Sequence, residues 1–149
     1  MKQAIALIVL VFMTLLLLPT AVYAANPNHV VKLRETQECA NCDLSNAYFI
    51  AANLEGNYVL GSNLSKANLK AANLRFASLS RTNLTGADLS LANLNRAKLM
   101  LANLTNAKLD GADLREADLL SANLTGVNLD KVKLCQTTMP DGTISNRDC

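Results

Sequence analysis

A period of five residues runs through most of this chain and decides what it can fold into. From residue 42 the sequence divides into pentads whose third position is apolar nineteen times in succession. These centres are Leu44, Phe49, Leu54, Val59, Leu64, Leu69, Leu74, Leu79, Leu84, Leu89, Leu94, Leu99, Leu104, Leu109, Leu114, Leu119, Leu124, Leu129 and Leu134. Two residues before each centre stands a small side chain, usually alanine, with Asn57, Ser62, Thr82, Val127 and Val132 as departures. Asn or Asp usually lies between the two, and the two residues after the centre vary freely. A twentieth, degenerate pentad uses Thr137 and Met139.

Ordinary secondary structure cannot bury this pattern. Five residues of α-helix turn about 500°, so successive leucines would walk about 140° around the helix and share no face. In a flat strand, steps of five would put alternate leucines on opposite faces. The period fits a solenoid in which each pentad forms one short side of a coil and then turns a corner. The centre and the small residue two before it both point inward. The intervening Asn or Asp points out or bonds back to a corner amide.

The first two dozen residues stand apart from the repeats. Lys2 precedes an apolar run from Ala4 to Leu18, and Ala21-Val22-Tyr23-Ala24 follows Pro19 and Thr20. A positive start, an apolar middle and a small-residue exit at Val22 and Ala24 make residues 1–24 a secretory signal peptide. The run of about 15 residues is short for a membrane span, and no second long apolar segment follows, so a mature chain without a membrane anchor is expected. It would carry 13 Lys/Arg against 12 Asp/Glu. That balance makes no field of one sign and disfavours a nucleic-acid track. Four cysteines remain, and an even number in an exported chain points to disulfides.

The repeat resembles that of the pentapeptide-repeat family, written A-(D/N)-L-x-x. Here it reads Ala67-Asn68-Leu69-Lys70-Ala71, Ala87-Asp88-Leu89-Ser90-Leu91 or Ala112-Asp113-Leu114-Arg115-Glu116. The resemblance covers about residues 42–139. It implies an all-β fold, a right-handed quadrilateral parallel β-helix of about five coils with four pentads to a coil. The flanks, Glu38-Cys39-Ala40-Asn41-Cys42 and Cys135-Gln136-Thr137-Thr138-Met139-Pro140, resemble those of exported cyanobacterial and thylakoid-lumen members. The domain plan is then a signal peptide over 1–24, an N-terminal cap over 25–41, the β-helix over 42–139 and a C-terminal cap over 140–149. Val30, Val31 and Leu33 suit a strand or short helix laid over the first coil.

Four pentads to a coil make residues twenty apart stack at about 4.8 Å, as parallel strands do. One face then carries the columns Asp43, Asn63, Asn83, Asn103, Asn123 and Ser45, Ser65, Thr85, Thr105, Thr125, uniform enough for a side-chain ladder. The expected core comprises Leu44, Phe49, Leu54, Leu64, Leu69, Leu74, Leu84, Leu89, Leu94, Leu104, Leu114 and Leu124. It leaves no room for a ligand. Leu60, Met100, Leu101 and Leu120 fall among the outward residues of one face, as scattered surface leucines or as a partner surface. The two ends of a five-coil stack lie about 19 Å apart, beyond the 7 Å or so that a disulfide allows between Cα atoms. The pairs are therefore Cys39–Cys42 and Cys135–Cys149.

Other patterns dissolve into the repeat. Asn63-Leu64-Ser65, Asn83-Leu84-Thr85, Asn103-Leu104-Thr105 and Asn123-Leu124-Thr125 satisfy the glycosylation rule, yet they recur every twenty residues because they are one face of the coil. His29 is the sole histidine, with no serine–carboxylate constellation around it. Asp110, Asp113, Glu116 and Asp118 read as a solvated face, neutralised by Arg115 and by Lys98 or Lys131. With aromatics at 4% the chain lacks a stacking platform for bases. The expectation is a non-enzymatic structural or protein-interaction module with no cofactor and no metal, acting in the periplasm or thylakoid lumen. It would be a monomer or weakly self-associating, with an unidentified protein partner, no nucleic acid and no membrane after signal cleavage. Two alternatives stand beside it. One is a thiol–disulfide redox protein using Cys39 and Cys42. The other resembles the family's DNA mimics that bind a topoisomerase, from which this chain departs in its signal peptide, length and near-neutral charge.

Overall fold

The computed structural model describes residues 25–149, and the signal segment expected over 1–24 lies outside the described residues. Parallel bridges join residues twenty apart from Glu38↔Tyr58 through Asn83↔Asn103 to Asp118↔Thr138. Each side of a coil thus contributes a single bridged residue, and each coil takes four pentads. Two backbone bonds recur at every bridge. Leu44 N–H donates to Asn63 O at 2.7 Å, and Asn63 N–H donates to Cys42 O at 2.8 Å. Between sides the chain turns through four residues. Ala47 N–H donates to Leu44 O at 3.1 Å, with Asn46 left-handed at φ 55°. That is a type II turn, whose third position wants positive φ.

The turn recurs, so the second residue after the centre is left-handed almost throughout. Glycine holds some of these corners, but Lys66, Ala71, Phe76, Arg81, Leu91 and Leu101 hold others at φ between 56° and 61°. Side chains disfavour this region by about 1–2 kcal/mol. The corner N–H is one compensation. Ala71, for example, donates to Ser90 O at 2.9 Å. The Asn or Asp before the centre adds a second brace. Asn83 Oδ1 accepts the N–H and the hydroxyl of Thr85, at 3.1 and 2.7 Å, and Asn103 and Asn123 do the same for Thr105 and Thr125.

Inside, Leu44, Phe49, Leu54, Leu64, Leu69, Leu74, Leu84, Leu89, Leu94, Leu104 and Leu114 are each at most 7% exposed. An interior void between Leu33 and Leu79 measures about 10 Å³, about the space of a single water probe. Leu124 departs from expectation, being only half-buried. The residue that would stack over it is Ile144, but the chain leaves the coil after Pro140. There Thr137–Thr138 (β1) and Ile144–Ser145 (β2) pair antiparallel, with Thr138 opposite Ile144. Leu124 and Leu129 are therefore left without a coil above them.

Below the first coil, Pro27–Thr36 forms a helix, α1. Asn26 caps it by accepting Asn28 N–H at 3.0 Å, Pro27 opens it, and left-handed Gln37 closes it with an N–H to Leu33 O. Pro suits this first position because its missing N–H would have no partner there. Leu33 is buried against the coil, whereas Val31 is 51% exposed. His29 fastens the helix, its Nδ1 accepting Asp43 N–H at 2.9 Å. No helix of the described residues is long and apolar enough to cross a membrane.

Candidate interaction surfaces

With the interior filled, chemistry toward other molecules belongs to the outer faces. The face expected to carry a ladder does so in part. Asn63 Nδ2 donates to Asp43 Oδ1 and Asn83 Nδ2 to Asn63 Oδ1, at 3.4 and 3.3 Å. The hydroxyls of Thr85, Thr105 and Thr125 do not run along their column. They turn sideways onto the asparagines two residues back, because the same oxygen already accepts the backbone N–H and lies within reach.

Leu60, Met100 and Leu120 share one column, since they differ by multiples of twenty, and Leu101 stands at the corner beside Met100. Leu60 is half-buried, and Met100, Leu101 and Leu120 are 36%, 51% and 37% exposed. Ser80 interrupts the column between Leu60 and Met100. The apolar part thus belongs to the C-terminal half.

Another face carries charge and an aromatic that sequence reasoning passed over. Phe76 is 43% exposed, with the guanidinium of Arg75 4.7 Å and that of Arg96 5.7 Å from its ring centre. Such contacts are worth about 0.5–1 kcal/mol at exposed sites. Arg96 pairs with Glu116 at 2.7 Å and Arg115 with Asp113 at 2.5 Å. The hydrogen bond from Arg115 is the main reason the Asp113 carboxyl sits below its ordinary value of 3.8, with burial opposing it. For Asp88, burial pushes the carboxyl up, but hydrogen bonds from Ser90 and the charges of Lys108 and Lys70 outweigh it and the net shift is downward. Of the carboxylates read as one solvated face, Asp113 and Glu116 are arginine-paired, and Glu116 finds Arg96 rather than a lysine. Among the described residues no group of three or more His, Cys, Asp and Glu is placed to hold a metal ion. The signal for Phe76 was available as a large apolar residue at a variable outward position. Ile50 and Leu91, at 56% and 60% exposure, are of the same kind, and Tyr48, 70% exposed, stands at the bridged position before Phe49.

The cysteines close both ends. Cys39 is bonded to Cys42 with Cα atoms 5.4 Å apart, and Cys135 to Cys149 with Cα atoms 4.9 Å apart. The first bridge is enclosed, at 0% and 4% exposure, with Cys39 Sγ 3.3 Å from His29 O under α1. Ser62 braces it, donating to Cys39 O and accepting Cys42 N–H. In the second, Cys135 is half-buried and Cys149 exposed.

These features define a class: a four-sided parallel β-helix with a closed interior, helix-capped at one end and disulfide-bound at both. The chain belongs to the pentapeptide-repeat family, whose model matches residues 62–99 and 102–139 in eight copies. Among solved structures it is similar to HetL, a pentapeptide repeat protein involved in heterocyst differentiation regulation from the cyanobacterium Nostoc sp. strain PCC 7120. That match has 33% identity, covers 72% of this chain and 62% of HetL, and has a TM-score of 0.47. The chain therefore spans about three-fifths of HetL's length. Rfr23 from the cyanobacterium Cyanothece 51142 is 26% identical, with 76% of this chain and 95% of that one covered and a TM-score of 0.52. A pentapeptide repeat protein from the Arabidopsis thaliana thylakoid lumen is 27% identical over 70% of this chain and 76% of its own, with a TM-score of 0.51. No curated protein matches the chain.

Proposed function

We propose that the chain is a non-enzymatic protein-interaction module of an exported compartment, a right-handed β-helix of about five coils between caps at 25–41 and 140–149. The observation that carries this reading is the closed interior. Inward positions hold leucine, alanine and a few hydroxyls bonded to backbone, such as Thr82 to Leu79 O and Thr137 to Leu114 O. Most of the residue-to-residue variety lies outside, on faces that a partner protein can read. The half-apolar wall of Met100, Leu101 and Leu120 is the preferred docking face, because exposed apolar residues gathered on one side mark such surfaces.

Export rests on the signal reading of residues 1–24. It is supported by two disulfides, which persist in oxidising spaces, and by the likeness to a thylakoid-lumen protein. The periplasm is the other compartment of the same chemistry. A photoreactive residue at Met100 and another at Thr85, on a different face, test the interaction reading in the native host. A cross-linked protein from Met100 alone is expected, and no cross-link from any face overturns it. Mass spectrometry of the same material should read an N-terminus at Ala25, and retention of the apolar run overturns the export assignment.

A further inference from the structure

The two disulfides differ in what a reductant can reach, and the C-terminal one holds down an unfinished ladder. In lower coils, ladder N–H groups pair with carbonyls nineteen positions on and ladder C=O groups with amides twenty-one positions on, as Leu94 N–H does with Asp113 O and Ala92 O with Asp113 N–H. Above Leu134, residues 146–148 occupy the place of such a coil. Asp148 Oδ2 accepts Leu134 N–H at 2.8 Å, Asp148 N–H donates to Leu134 O at 2.7 Å, and Asn146 Oδ1 accepts Gln136 N–H at 3.1 Å. Arg147 donates to Leu129 O at 3.0 Å and also to Val132 O. The tail imitates a further coil with polar contacts alone. Ile144, the only large apolar side chain between 141 and 149, is paired through its backbone with Thr138, but its side chain is 55% exposed. The β1–β2 pairing holds the tail as far as Ser145. Beyond it the contacts are polar, part-buried or exposed, and each contributes only modestly. The covalent bond from Cys149 to Cys135 therefore holds residues 146–149 in register.

We propose that Cys135–Cys149 is a redox-addressable latch on this end of the solenoid, opened by a dithiol reductant while Cys39–Cys42 stays closed. The reductant's thiolate attacks the exposed Cys149 Sγ. The bond to Cys135 breaks, and Cys135 leaves as a thiolate and takes up a proton. The reductant's second thiolate then attacks the mixed disulfide and releases Cys149 as a thiol. Two electrons pass to the protein, and the reductant ends as a disulfide. Access governs such exchange, and the Cys39 and Cys42 sulfurs lie under α1. Opening the latch frees the Leu134 and Gln136 amides and the Leu134 carbonyl, while Cys135 O stays paired with Glu116 N–H in the coil below. That makes an unpaired edge of the kind that takes up an added strand.

The test treats the oxidised protein with a limiting dithiol under native conditions, alkylates it and maps the labelled cysteines. Label on Cys135 and Cys149, with Cys39 and Cys42 unlabelled, is expected, together with loss of exchange protection at the Leu134 and Gln136 amides but not at Leu84. Simultaneous labelling of all four cysteines overturns the proposal. The Cys149→Ser variant, which needs no reductant, should lose the same two protections. Retained protection at Leu134 in that variant would show that the tail holds without the bond, and the latch would be refuted.

Discussion

The Ser62 hydroxyl lies one coil above Cys42 and accepts its amide hydrogen at 3.0 Å. Cys42 is 4% exposed, so that hydrogen has no water to turn to. Ser62→Ala orphans it, together with Cys39 O, and should cost about 1–3 kcal/mol. Thr82→Ala, one coil higher at the equivalent position, should cost less than about 1 kcal/mol. Leu79 O, which loses the Thr82 hydroxyl, still accepts Thr82 N–H at 3.2 Å. Urea unfolding of the two variants distinguishes them, and equal costs would show that buried donors are not the governing term.

Leu84 and Leu124 share a column, but only Leu84 has a coil on both sides. Leu84→Ala should cost about 2–5 kcal/mol through lost burial and the cavity left behind. The half-buried Leu124 should cost less than half as much as Leu84 on the same change, because solvent and the loose end relax into the space. Thermal melts compare them. Parity would mean that the C-terminal end is as well covered as the middle.

Ala71 and Ala72 are neighbours in opposite situations. Ala71 is exposed at φ 56°, whereas Ala72 points inward and is 0% exposed. Ala71→Gly removes a left-handed penalty of about 1–2 kcal/mol and adds about 0.5–1 kcal/mol of unfolded-state entropy. The net should lie between neutral and about 1.5 kcal/mol more stable. Ala72→Gly loses a buried methyl, worth about 0.8 kcal/mol, on top of that entropy, and should destabilise. Chemical denaturation of both variants reads the difference. If Ala71→Gly destabilises as much as Ala72→Gly does, the corner geometry is contradicted.

Asp113 gives the fold a pH dependence of fixed sign. Its carboxyl is held below 3.8, chiefly by the hydrogen bond from Arg115. A depressed folded value contributes stability that is present above the unfolded value and lost as pH falls through the folded one. Asp113→Asn keeps the oxygen that accepts Arg115 N–H at 3.1 Å but removes the charge. Circular dichroism unfolding from about pH 6 down to about pH 2 should show the variant less stable at the top of that range and losing less across it. Parallel curves would remove Asp113 from the account.

The five-residue phase made the bridged positions and the inward leucines legible, because burial acts on side-chain identity at a fixed spacing. Corner conformation was not legible. Lys66, Phe76 and Leu91 have no left-handed preference of their own, and the ladder bonds of the coils impose it. The arginine pairs around Phe76 escaped for a related reason, since outward residues carry no periodic signal and meet only once the coil brings residues 75, 96, 115 and 116 side by side. Leu124 looked like every other centre. Its exposure depends on the course of the chain beyond Pro140, where the period ends and Arg147 and Asp148 stand in for a coil through contacts that no repeat announces.

A stack of near-identical units has a degeneracy that ordinary domains lack. Shifting one part by twenty residues preserves every inward leucine, so hydrophobic burial alone cannot say which coil belongs on which. Ser62 removes that freedom. Its hydroxyl must sit where Cys39 O and Cys42 N–H converge, and a slipped assembly would place Thr82 there, whose hydroxyl is turned to its own coil at Leu79 O. Ser62, bonded through its hydroxyl to the coil below, therefore acts as a zero mark on a ruler whose divisions are mostly alike. Without that hydroxyl the leucines could still be buried, but their spacing would say little about which coil comes first.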